Sequence, residues 1–180
     1  RQTAGIQEAG AVVGLKHFVL NDQEVSRWNG IAVWAKEQSI REIYLEAFRP
    51  SVEEAKAKSV MTSFTRIGTQ WCGAHDGLLE GVLRGEWGFE GYVISDCPWF
   101  EFMGVVDGLM AGNDCILYSL SDAQKQQYYD QADNPTVAQA IRTSTHRVLY
   151  VIANSCAMNG FTSNTRIIPI TNWWQHLILA

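Results

Sequence analysis

The chain has 180 residues, enough for a sizeable core, and 47% hydrophobic against 18% charged residues excludes a disordered tract. A formal net charge of -5 and a pI near 5.3, with no basic stripe, argue against a nucleic-acid partner, which needs cations to release phosphate counterions. No apolar run reaches the ~18 residues that span a bilayer, although Trp173 to Ala180 stops while still apolar.

Taken in order, Gln7 to Gly14 reads as the end of a helix and a turn, and Val12 to Leu20 as a strand with Lys16 and His17 embedded in it. A lysine beside a histidine in an apolar strand is costly to bury without partners. Either this is a solvated edge strand, or its end opens onto a polar pocket. The polar loop Asn21 to Arg27, which follows at once, favours the pocket.

From Trp34 to Lys58 the pattern is helical, with Ile40, Ile43, Tyr44, Ala47 and Phe48 forming an apolar stripe. Pro50 starts a second helical piece, and Glu42 and Glu46 belong to a solvated face. Ser59 to Phe64 is the next strand. The loop Thr65 to Asp76 is long enough to hold functional side chains, although His75 and Asp76 read more simply as surface polarity.

Leu78, Leu79, Val82, Leu83 and Trp87 mark an amphipathic helix leading to the short apolar run from Gly91, which closes on Asp96. Val105 to Ala111 is a short helix stopped by Gly112-Asn113, and Asp114 to Tyr118 a further strand. Ser121 to Asp133 reads as a loop. Asn134-Pro135 starts a helix that runs to Asn159-Gly160, and the remainder is a tail.

Strands near 12–20, 59–64, 91–96 and 114–118, alternating with helices and with no hairpin between them, predict an α/β fold with a parallel sheet. An eight-stranded barrel takes about 250 residues, so these four βα units could supply half of one. A carboxylate at the carboxyl end of a parallel strand sits where such enzymes keep their chemistry. Asp96 is therefore the candidate reactive group, its plainer alternative being the cap of the next helix.

Seven tryptophans and six tyrosines are many for this length; they either fill a core or offer flat rings to sugar faces. Cys72, Cys97, Cys115 and Cys156 form no CxxC pair and no metal-like spacing with histidine, so free thiols in a reducing compartment and no metal site are expected. Arg1 begins in mid-pattern, without a leader; with the apolar end this reads as a sequence truncated at both ends.

Several motifs come in one order: Lys16-His17-Phe18-Val19-Leu20-Asn21-Asp22-Gln23-Glu24 with Arg27, Arg41-Glu42-Ile43-Tyr44-Leu45, Met61-Thr62-Ser63-Phe64, Leu83 to Gly91, and Ser95-Asp96. Together they resemble the barrel domain of glycoside hydrolase family 3, β-glucosidase-like branch, over residues 5 to 118 and less closely to Gly160. The resemblance implies a partial TIM (β/α)8 barrel, strands five to eight, in residues 1–120. A loop and closing helix would follow in 121–160 and a tail in 161–180.

It also implies a retaining glycosidase acting on terminal β-D-glucosyl or related residues, with Asp96 as nucleophile and Lys16 and His17 binding sugar hydroxyls. A nearby ammonium favours the ionised carboxylate that attack requires. Retention needs a second carboxyl about 5–5.5 Å away; in relatives that acid/base, like two sugar-binding residues, lies in parts outside this chain. The 180 residues alone would then be an inactive fragment needing the remainder of its polypeptide.

Arg27 either meets sugar or holds Asp22 or Glu24. Met61, Phe64 and Trp99 either line the pocket or pack. No cofactor is implied.

Departures from the family pattern bear on specificity. Many members have Ser-Tyr-Asn where this chain has Ser63-Phe64-Thr65, and tryptophan directly after the nucleophile where it has Cys97. A β-xylosidase, N-acetylglucosaminidase or phosphorylase on the same scaffold is the enzymatic alternative. Val19-Leu20-Asn21 departs from the Pro-Gly-His loop of the hexosaminidase branch. A non-catalytic carbohydrate-binding barrel is the other alternative. The tail resembles members in which the barrel comes last, some continuing into a membrane segment, which leaves the compartment open between bacterial cytoplasm and membrane.

Overall fold

The computed structural model describes residues 1–97, 102–117, 120–158 and 162–166. Its centre is a parallel sheet of three strands in the order β1 (Gly14–Phe18), β3 (Ser59–Thr62), β6 (Tyr92–Ile94). A parallel bridge from Ile94 to Cys115 adds a fourth position beside β6. The four predicted strands thus stand in chain order, although the last is a single bridge; Tyr118 lies outside the described residues.

Phe18, Val60 and Val93, one from each strand, are fully buried and join Leu79 and Leu83 in the main core. Phe18 also packs edge-on against Phe48 and Trp87, at ring separations of 5.1 and 6.1 Å. Only β3 is buried along most of its length, as the central strand of a covered parallel sheet requires, whereas β1 alternates exposed and half-buried residues before Phe18.

The helices follow the sequence pattern with two corrections. Between β1 and β3, Glu37–Ser39 runs into a π-helical turn, Ile40–Leu45, and Arg49–Glu53 follows with Pro50 in its first turn. The wider turn moves the apolar face. Ile40 and Leu45, five residues apart, are buried, whereas Ile43 from the expected stripe is 65% exposed and Ala47 is also exposed.

The second correction concerns Ser121 to Asp133, expected to be a loop. Asp122–Tyr129 is a helix, started by a capping box in which Ser121 Oγ accepts from Gln124 N and Gln124 Oε1 accepts from Ser121 N. Pro135–Ala153 then begins as expected, with the Asn134 side chain accepting from Thr136 N at 3.0 Å, and ends six residues before the expected stop at Asn159.

The chain also contains a hairpin that the expectation of none missed. β4 (Arg66–Ile67) and β5 (Gln70–Trp71) pair antiparallel around Gly68, whose φ of 61° suits glycine. β2 (Ala32–Val33) pairs parallel with β4. This second small sheet joins the segments that leave β1 and β3. No helix among the described residues is long and apolar enough to cross a membrane.

The Arg84 guanidinium donates to Asp114 Oδ2 at 2.6 Å and to the Gly91 carbonyl at 2.8 Å. Asp114, its side chain fully buried, also accepts from Val93 N and from Arg147, which pairs in turn with Glu80. These contacts fasten β6 to the helices Gly77–Glu86 and Pro135–Ala153.

Candidate active site

Asp96 lies two residues beyond β6 and is 7% exposed. One carboxylate oxygen, Oδ1, accepts from Cys97 N at 2.8 Å. The other faces a cation and an imidazole: His17 Nε2 at 3.4 Å and Arg27 Nη1 at 3.7 Å. Oδ2 is buried and has no hydrogen-bond partner among the described residues.

The loop after β1 is held by the end of β3. Ser63 N donates to the Phe18 carbonyl at 2.8 Å, Ser63 Oγ to Val19 at 2.7 Å, and Thr65 Oγ1 to Leu20 at 3.1 Å. Leu20, at φ 63°, turns the chain out of the strand. The loop then brings back Arg27, whose Nε pairs with Glu24 at 2.9 Å and whose guanidinium lies 5.1 Å from the Phe64 ring centre. Arg27 therefore holds Glu24, one of the partners the sequence allowed, and its guanidinium also faces the Asp96 carboxylate.

Burial pushes His17 below its ordinary 6.5. Asp96 pulls the other way, while the charges of Lys16 and Arg27 reinforce the burial. A neutral imidazole results, able to donate at one nitrogen and accept at the other. Lys16 is exposed on the same strand.

Phe64 is buried with Trp71 and Met103 and is packed beside Cys97, and Met61 is half-buried. Trp99 and the tail residues Trp173 and Trp174 lie outside the described residues. His75 is more than surface polarity, because its Nδ1 accepts from Leu78 N at 3.2 Å at the start of the helix Gly77–Glu86.

Three thiols are poor rivals as nucleophile. Burial raises Cys72 and Cys115 to about 11, and Cys97 is raised by burial and by the neighbouring Asp96 carboxylate, so all three stay protonated near neutrality.

Two residues that the sequence reading passed over join the site's surroundings. Asn21 Oδ1 and Thr62 Oγ1 are buried at the ends of β1 and β3 without a hydrogen-bond partner among the described residues. Their position at strand ends was the available signal. One surface concavity of about 490 Å³ is lined by Thr69, Gln70, Trp71, Phe102 and Asp107 among others, without Asp96. The candidate site is marked by its carboxylate, guanidinium and imidazole rather than by cavity volume.

A parallel α/β sheet with an imidazole, a guanidinium and a buried carboxylate converging at its strand ends defines a strand-end site of the kind α/β enzymes use. The chain belongs to glycosyl hydrolase family 3: the model of that family's N-terminal domain matches residues 1–151.

Among relatives, a β-glucosidase of Rhizobium radiobacter is 32% identical over 149 residues, covering 82% of this chain and 18% of its own length. Probable β-glucosidase J of Aspergillus fumigatus is 40% identical over 111 residues, covering 62% and 12%. β-Glucosidase 3B of Thermotoga neapolitana, solved with glucose, superposes with a TM-score of 0.79 at 30% identity, over 87% of this chain and 23% of that one. The family 3 β-glucosidase of Bifidobacterium adolescentis gives 0.77 at 27%, over 92% and 24%. The chain thus spans less than a quarter of the length of each of these relatives.

Proposed function

We propose that this chain carries the nucleophile of a retaining β-glucosidase. Its four parallel strand positions would be strands five to eight of a (β/α)8 barrel in residues 1–120. Residues 121–160 would close that barrel; the expected tail, 161–180, lies outside the described residues except for 162–166.

The observation that carries the reading is the Asp96 carboxylate at a strand end, with Oδ2 facing His17 at 3.4 Å and Arg27 at 3.7 Å. A nucleophilic carboxylate needs one oxygen held and the other available. Cys97 N does the holding.

In the first step Asp96 Oδ2 bonds to the anomeric carbon of a terminal β-glucosyl residue as the bond from that carbon to the leaving oxygen breaks. The leaving oxygen takes a proton from a second carboxylic acid. In the second step a water oxygen attacks the same carbon, its proton returns to that second group, and the bond to Asp96 breaks. Since relatives extend far beyond the matched stretch, the acid is assigned to the rest of the polypeptide. Neutral His17, with Lys16, would bind sugar hydroxyls, and Arg27 would balance the charge that passes through Asp96.

In the full-length enzyme, Asp96→Ala should lower turnover of an aryl β-glucoside by at least ~10³-fold, the scale of losing a covalent nucleophile. Glucose should still raise the variant's melting temperature. Activity within tenfold of the wild type would overturn the assignment.

A further inference from the structure

Ser95, the residue before Asp96, is fully buried, and its hydrogen bonds run sideways into the next strand position. Its amide donates to the Cys115 carbonyl at 2.9 Å, and its hydroxyl accepts from Leu117 N at 3.1 Å. Two residues earlier, the Val93 carbonyl accepts from both Asp114 N and Cys115 N at 2.9 Å, and Val93 N donates to the Asp114 carboxylate at 2.8 Å. Backbone pairing fixes the Val93 peptide. Beyond Ile94, where β6 ends, the segment 114–117 keeps hold of the chain through Ser95 alone among these contacts.

We propose that Ser95 is a positioning residue for the reaction: its hydroxyl, clamped by Leu117 N, sets the height and rotation of Asp96 at the strand end. The inference rests on the nucleophile reading above. The clamp acts on the residue bonded directly to Asp96, whereas His17 and Arg27 act on the carboxylate itself. Without the hydroxyl, the amide bond to Cys115 remains and β6 keeps its register, but Ser95 loses one of its two lateral bonds, and the turn into Asp96 is free to pivot about the other. A displacement of about 1 Å at a reacting atom costs up to a hundredfold in rate.

The test uses the full-length enzyme, a 2-deoxy-2-fluoro-β-glucoside with a good leaving group, and glucose as competitive ligand. In Ser95→Ala the labelling rate constant at saturating probe and kcat should both fall by about ten- to a hundredfold. The glucose inhibition constant should stay within twofold, because the sugar-binding side chains are untouched. Ser95→Cys, which keeps the volume and a weaker acceptor, should recover part of the loss and carries the same measurement if the alanine variant does not fold.

Equal labelling rates in wild type and variants would overturn the positioning role, and so would an equal loss in rate and in glucose affinity. Failure of the wild type to be labelled on Asp96 would instead remove the nucleophile reading.

Discussion

His17 Nε2 stands 3.4 Å from Asp96 Oδ2, although the two residues come from β1 and from the end of β6, strands separated by β3. The contact crosses over the end of the middle strand. Ser63, just beyond that strand, fixes the chain where it leaves β1 after His17. The candidate site is therefore a property of three strands at once, and changes to any of them should be read at Asp96.

Lys16 tests the sugar side. In the full-length enzyme, Lys16→Ala should weaken glucose binding by about tenfold or more, since a hydrogen bond to a charged group is worth ~1.5–3 kcal/mol. Inhibition by glucose measures it. Unchanged affinity would mean that the exposed ammonium touches no sugar hydroxyl.

His17 gives stability a pH dependence. Its folded value lies below the ordinary 6.5, chiefly through burial, so as pH falls the unfolded chain binds the proton first. The contribution is complete above 6.5 and is lost as pH falls through the folded value. Melting temperature measured across that window should drop in the wild type, and His17→Gln should flatten the drop.

Asp114 should matter more for stability than any exposed charge. Asp114→Ala leaves Arg84 and Arg147 facing each other without their shared carboxylate. Breaking a buried pair costs about 3–5 kcal/mol. Denaturant unfolding measures the loss, and Arg49→Ala, whose partners Glu46 and Glu53 are at the surface, is the control that should leave the midpoint in place.

Gly91 tests the approach to β6. A methyl group there would run into the Lys58 carbonyl just before β3. Gly91→Ala should destabilise by about 1–3 kcal/mol, the cost of overpacking, and thermal melting would show it.

Much of this was legible in the sequence where the signal was a run or a cap. Val93 and Ile94 before Asp96 read as a buried strand because both faces are covered, and Asn134-Pro135 marked a helix start because its side chain and fixed φ suit that position. The hairpin Arg66 to Trp71 escaped because two-residue strands have no periodicity, and the turn at Gly68 was the only mark. The π-helical turn escaped because a 3.6-residue period was assumed, which wrongly buried Ile43. The Ser121 capping box was present in the sequence as Ser-Asp-Ala-Gln, but the polar stretch around it hid the helix. What no local pattern could give was the meeting of His17, Arg27 and Asp96, which depends on strand order; the family resemblance, rather than periodicity, pointed to it.

The most direct measurement is covalent. Incubating the full-length enzyme with a 2-deoxy-2-fluoro-β-glucoside and mapping the peptides should find one fluoroglucosyl adduct, on Asp96. An adduct on another residue, or turnover of the parent glucoside with no adduct on Asp96, would contradict the account.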